Sequence, residues 1–120
     1  MDSSTNFAAP LSGIPGAPVG PEPVIVVVEP FGGSIRRHSP ALPLVHWDDA
    51  AVTRGDGVFE TFLVRDGRAA NFRRHARRFA ASAELMGLPA PDLEHWARAT
   101  EVAVEGWCEK NGVDARCVWT

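Results

Sequence analysis

Residues 54–61 read Arg-Gly-Asp-Gly-Val-Phe-Glu-Thr, and a short way downstream comes His75-Ala-Arg-Arg78-Phe79. Gly55 and Gly57 permit positive φ or a close backbone approach, so the chain can bend sharply before the next element. Val58 to Val64 then alternates only in part. Val58, Glu60, Phe62 and Val64 fall on one face of a strand, and Phe59, Thr61 and Leu63 on the other. Both faces are mostly apolar, with Glu60 and Thr61 the polar exceptions. Asp66-Gly67 is a strong two-residue hairpin signal, and the chain returns through Arg68 to Asn71.

Beyond that hairpin, Phe72 to Met86 reads as an amphipathic helix. Phe72, Ala76, Phe79, Ala83 and Met86 recur at alternating spacings of four and three and form one apolar stripe. Asn71 is placed to cap it and Gly87 to stop it. A second helix is expected from about Pro91 to Lys110, with Leu93, Trp96, Ala97, Thr100, Val104 and Trp107 inward. Asn111-Gly112 ends it, and Arg116 to Trp119 reads as a strand.

Upstream, Val24-Ile-Val-Val-Val28 is a continuous β-branched run that suits a strand buried on both faces. Phe31 to Ser34 makes a turn, and Ile35-Arg36-Arg37 a short return strand. Asp48 to Val52 can form one helical turn capped by an aspartate. Residues 1–23 are rich in Ser, Pro, Gly and Ala, bury too little to offset ordering entropy, and read as a disordered tail. The folded unit is therefore expected over residues 24–120. Its class is α/β in the broad sense, an α+β two-layer arrangement of mostly antiparallel sheet packed by two helices.

Bulk properties narrow the function. A net charge of −3 provides no clustered basic face for nucleic acid. The longest apolar run, Val24 to Val28, is far too short to cross a bilayer, and no signal-peptide pattern opens the chain. Cys108 and Cys117 form no C-x-x-C unit. A reduced, cytoplasmic protein without nucleic-acid or membrane partners is the expectation. His46, Asp48 and Asp49 lack a second cluster to complete a coordination sphere, so no metal site is assigned.

The arginines of the first helix hold the chemistry of interest. On a helical wheel His75, Arg78 and Ser82 flank one side of the apolar stripe, whereas Arg73, Arg77 and Glu84 lie toward the other. Arg78 thus stands beside the core, where its planar guanidinium could give an anion two parallel charge-assisted hydrogen bonds. Spacing by itself favours a solvated charged face. Glu60 could be a buried acid, but the favoured reading is that it accepts hydrogen bonds from nearby backbone or from an arginine such as Arg54.

Taken together, Asp49, Arg54 to Thr61, Asp66-Gly67, His75, Arg78-Phe79 and Ser82-Ala83 resemble the N-terminal part of the fold-type IV, pyridoxal-phosphate-dependent aminotransferases and lyases. Order and gaps fit without insertions, and Phe79 stands where leucine is usual. The resemblance implies pyridoxal 5′-phosphate as cofactor and a small-molecule amino substrate. It assigns the cofactor phosphate to Arg78, and pocket-lining roles to Phe59, Thr61 and Arg116, with core packing the competing role for Phe59. Homodimers are usual in such a family. Lyases and the branched-chain and D-amino-acid aminotransferases share the motif, and a non-catalytic binding domain remains open beside them.

Cofactor chemistry of this kind needs a lysine amine as covalent anchor and proton carrier. The chain has one lysine, Lys110, at the end of the second helix and remote from Arg78 in the expected fold. The resemblance puts the anchoring lysine in a second domain, so no catalytic residue is assigned within these 120 residues. An isolated N-terminal part should also leave apolar surface exposed, including some of Trp96, Trp107 and Trp119.

Overall fold

A computed structural model of the chain describes residues 22–29, 33–50 and 54–120. Residues 1–21 of the expected tail, half of the turn at 31–34 and part of the turn at 48–52 lie outside the described residues. Strands β1 (Ile25–Val28) and β2 (Ile35–His38) form one antiparallel pair, with Ile25 opposite His38 and Val28 opposite Ile35. Strands β3 (Glu60–Arg65), β4 (Arg68–Ala69) and β5 (Ala115–Trp119) form a second antiparallel sheet in the order β4-β3-β5. Helices α1 (Phe72–Leu85) and α2 (Leu93–Asn111) supply the other layer. The expected α+β two-layer class, with two helices on antiparallel sheet, is what the molecule adopts.

Local chemistry accounts for the boundaries. Asp66 and Gly67 both adopt positive φ, 54° and 73°, as a tight hairpin turn matched to strand twist requires. Asp92 caps α2, its carboxylate accepting from the Glu94 and His95 amides at 3.2 and 3.3 Å. Asn71 occupies the cap position of α1 but makes no side-chain cap bond; it sits at φ 54° while its carbonyl accepts from His75 N–H. Gly87 ends α1 at φ 68°, where the Gly87 and Leu88 amides satisfy the last carbonyls.

The core lies between β3, β5 and the two helices. Phe62, Ala76, Phe79 and Trp119 are buried, and Phe72 and Trp96 pack against them. Trp119 makes edge-on contacts with Phe62, Phe72 and Phe79 at centroid separations of 5.5, 5.4 and 5.3 Å. Its indole N–H donates to the Thr100 hydroxyl at 2.9 Å, and that hydroxyl donates to the Trp96 carbonyl at 2.8 Å. The one polar atom of the cluster is thereby satisfied without water. On the far side of α2, the Arg37 guanidinium of β2 lies over Gly106, where an added Cβ would come within 3.1 Å of it.

Three expectations need correction. β1 is half-buried along its length, because α2 covers one side and its second edge has no strand beside it among the described residues. Met86 is about half exposed, since the helix has already ended at Leu85. Trp119 is buried at 3 % exposure, and Trp96 and Trp107 are half-buried; the exposed tryptophan is Trp47, at 86 %.

Replacing Trp119 with alanine should lower unfolding free energy by about 3–5 kcal/mol, read as a shift in the denaturant midpoint. Burial also raises the Cys117 thiol from 9.0 to about 11. An unfolded chain therefore loses this proton before the folded one does, and stability should fall as pH rises from 9 to 11. The pH profile of Cys117 alkylation should have its midpoint near 11.

Candidate functional site

Glu60 opens β3 with its side chain on the helix-covered face, in register with Phe62 and Val64, and is only 7 % exposed. A carboxylate cannot be buried there without partners. They come from α1: His75 Nδ1 lies 2.5 Å from Glu60 Oε2, and Arg78 Nε lies 3.7 Å from Oε1. His75 and Arg78 are three residues apart, so both lean over the start of the strand from one side of the helix. The His75 ring also lies against Phe62, with centroids 5.4 Å apart and planes tilted by 30°. His75 is thus clamped between a carboxylate and an aromatic ring.

Arg78 differs from His75 in exposure. Its side chain is 62 % exposed, so the guanidinium is steered by Glu60 through Nε while much of it faces solvent. At 3.7 Å and this exposure the ion pair contributes little to stability; its effect is orientation. Such an arginine is available to a second anion. It borders neither of the cavities described below.

Phe59, Thr61 and Arg116 come together on the opposite, open face of the sheet. The register pairs Thr61 with Val118 and Leu63 with Arg116, so these four side chains share that face. Phe59 is 71 % exposed, Leu63 45 % and Val118 55 %. An apolar sheet surface holding one hydroxyl and one guanidinium suits a partly apolar, anionic small molecule or a covering domain. Arg78 is not on this face; it flanks the start of the same strand from the helix side.

The arginine beside Glu60 is Arg78 and not Arg54, and the closest contact comes from His75. The signal was present in the alternation of β3, which sends Glu60 toward the helices, and in the wheel position shared by His75 and Arg78. Lys110 is exposed in the last turn of α2 and borders a separate cavity with Glu22, Arg37 and His38. No lysine stands near Glu60 and Arg78 among the described residues.

The Amino-transferase class IV family matches residues 57–120, just over half of the chain. A Mycobacterium tuberculosis protein named bifunctional aminodeoxychorismate lyase / D-amino acid transaminase is 59 % identical over 68 residues, covering 57 % of this chain and 24 % of that one. A crystal structure of a candidate aminotransferase from Corynebacterium glutamicum superposes with a TM-score of 0.78 at 58 % identity, covering 83 % of this chain and 41 % of that one. A hypothetical aminotransferase from M. tuberculosis, bound to α-ketoglutarate and PMP, gives 0.66 at 48 % identity, covering 69 % and 29 %. The chain therefore spans well under half the length of each of these relatives.

Removing the imidazole tests the clamp on Glu60. His75→Ala leaves a buried carboxylate with only a distant, exposed guanidinium, and should cost about 3 kcal/mol of unfolding free energy. His75→Gln, which keeps a donor, should recover part of that loss in the same denaturant titration.

Proposed function

Because this chain belongs to the class IV aminotransferase family, we propose that it forms the N-terminal part of a pyridoxal-phosphate-dependent enzyme, with Arg78 holding the cofactor phosphate. The observation behind this reading is the Glu60–His75–Arg78 arrangement. A buried acid orients an exposed guanidinium at the position that the family motif reserves for the phosphate ligand. The planar donor fork suits a phosphate dianion. Phe59, Thr61 and Arg116 supply one wall of the substrate pocket, where Arg116 would meet a substrate carboxylate.

The residues present fit the phosphate end of that cofactor and not its anchoring end. Bound pyridoxal phosphate supplies an electron sink for the substrate's α-carbon. This chain's share is to bind and orient. Arg78 fixes the anion, Glu60 and His75 fix Arg78, and the open face of β3 and β5 excludes water once covered. Lys110, exposed at the far end of α2, has no part in it.

Within the family, the reaction we assign to the complete protein is aminodeoxychorismate lyase chemistry, the elimination of pyruvate from aminodeoxychorismate to give 4-aminobenzoate for folate synthesis. Similarity to the M. tuberculosis lyase over 68 residues supports it. D-amino-acid transamination is the second reading, favoured by the bifunctional name of that relative. The complete protein is assigned as a homodimer. Among the described residues no helix is long and apolar enough to cross a membrane.

In the complete protein, Arg78→Ala should weaken pyridoxal-phosphate binding by about 10- to 100-fold, the scale of one or two charge-assisted hydrogen bonds. An unchanged dissociation constant, measured by cofactor fluorescence titration, would remove the assignment. The 120-residue chain by itself should show no covalent cofactor absorbance and no turnover on addition of pyridoxal phosphate.

A further inference from the structure

Glu60 gives one carboxylate oxygen to each of its two partners, Oε2 to His75 Nδ1 at 2.5 Å and Oε1 to Arg78 Nε at 3.7 Å. An ionised carboxylate only accepts, so Nδ1 carries the hydrogen of that bond whether the ring is neutral or charged. The other ring nitrogen, Nε2, has no partner among the described residues, and 18 % of the side chain stays exposed. His75 can therefore gain a proton at Nε2 without giving up Glu60. None of the three residues lines the largest described cavity, about 730 Å³ between β1 and β5.

The surroundings leave this charge arrangement to the three side chains themselves. Phe62 covers the ring from β3, and Trp119 of β5, opposite Glu60 in register, brings no charge. From α2 the cluster receives Trp96 and the Thr100 hydroxyl, both neutral. The other arginines of α1, Arg73, Arg74 and Arg77, are exposed.

We propose that phosphate binding at Arg78 is coupled to proton uptake by His75, so that the imidazolium takes over from the guanidinium as the counter-charge of Glu60. This rests on the reading of Arg78 as the phosphate ligand. With the ring neutral, carboxylate and guanidinium cancel. A bound dianion then leaves two negative charges uncompensated, and a proton on Nε2 removes one of them. That proton comes from water or buffer, and its N–H bond is the one bond formed. Glu60, 7 % exposed, cannot turn to solvent instead.

Nearby negative charge favours the charged form of an imidazole. Linkage is reciprocal, so an anion that tightens the ring's hold on a proton is itself held more tightly by the protonated ring. The affinity contributed by this pair therefore falls as pH rises through the range in which imidazoles lose their charge. His75 is by this argument a positioning residue that also carries charge. The second ionisation of the phosphate itself works in the opposite direction, so the measurement is a difference between variants.

Calorimetric titration of the complete protein with pyridoxal phosphate, in two buffers of different ionisation heat at about pH 7, counts the protons taken up. The native protein should take up roughly a few tenths of a proton per site more than His75→Gln, the scale that a tenfold coupling produces near an imidazole's midpoint. The ratio of native to variant affinity should fall roughly fivefold between about pH 6 and pH 8. In spectra of the native protein the His75 ring signal, identified by its contact with Phe62, should move to the imidazolium position on cofactor addition. Equal proton counts, with cofactor bound by both proteins, would overturn the coupling and leave Arg78 as the phosphate ligand. Undiminished binding by Arg78→Ala would remove the phosphate assignment and this inference with it. Should His75→Gln fail to fold, the native ring signal decides alone, and a signal unmoved at saturation overturns the proposal.

Discussion

Trp119 holds this molecule together. Its indole is the meeting point of Phe62 from β3, Phe72 and Phe79 from α1, and Trp96 from α2, and its N–H is bonded to Thr100. Every element of the larger sheet-and-helix unit therefore contributes to one cluster, β4 through Ala69. Edge-on aromatic pairs fix orientation more tightly than aliphatic contacts do. The hydrogen bond to Thr100 adds a polar constraint inside an apolar cluster, and a polar pair that must be matched selects one packing over its near neighbours. The small side chains at Ala76 and Ala83 let α1 approach the sheet closely enough for this to occur.

That packing determines what the two faces of the sheet can do. With Phe62 and Val64 committed to the helices, period-two alternation sends Thr61 and Leu63 outward, beside Arg116 and Val118. The same alternation carries Glu60 inward at the start of β3, where its charge is tolerated because His75 and Arg78 arrive from the next element. A buried acid at a strand end is costly by itself. Here it converts a flexible surface arginine into an oriented one, while the aromatic cluster holds α1 at the height that allows it. Core and site are thus one mechanical unit: the helix that buries Phe79 is the helix that presents Arg78.

Much of this was legible in the residues. The Asp66-Gly67 turn, the stripe through Ala76, Phe79 and Ala83, and the stop at Gly87 follow from local rules, and each appears within a residue or two of its expected place. The family motif also marked Arg78, Phe59, Thr61 and Arg116 as the residues to watch. What local rules could not supply was partnership across elements. Glu60 was open between simple burial and partners from backbone or an arginine such as Arg54, because choosing His75 requires the distance between β3 and α1. Trp119 likewise looked like a residue near an exposed end, yet its register opposite Glu60 draws it into the core. The continuous valine run of β1 reads as a strand buried on both faces, and the described fold buries it by half.

That last difference has a physical cause, and it bears on what kind of object this chain is. A run of β-branched residues without polar alternation suits the interior of a sheet. β1 has the composition of a central strand and, among the described residues, the position of an edge strand. An apolar edge of that sort invites pairing with another chain, and proteins that keep one exposed commonly blunt it with charge, proline or a bulge. Within β1 there is no such device: Ile25 to Val28 holds no charge and no proline. Among the described residues the position of β1 therefore departs from what its composition favours.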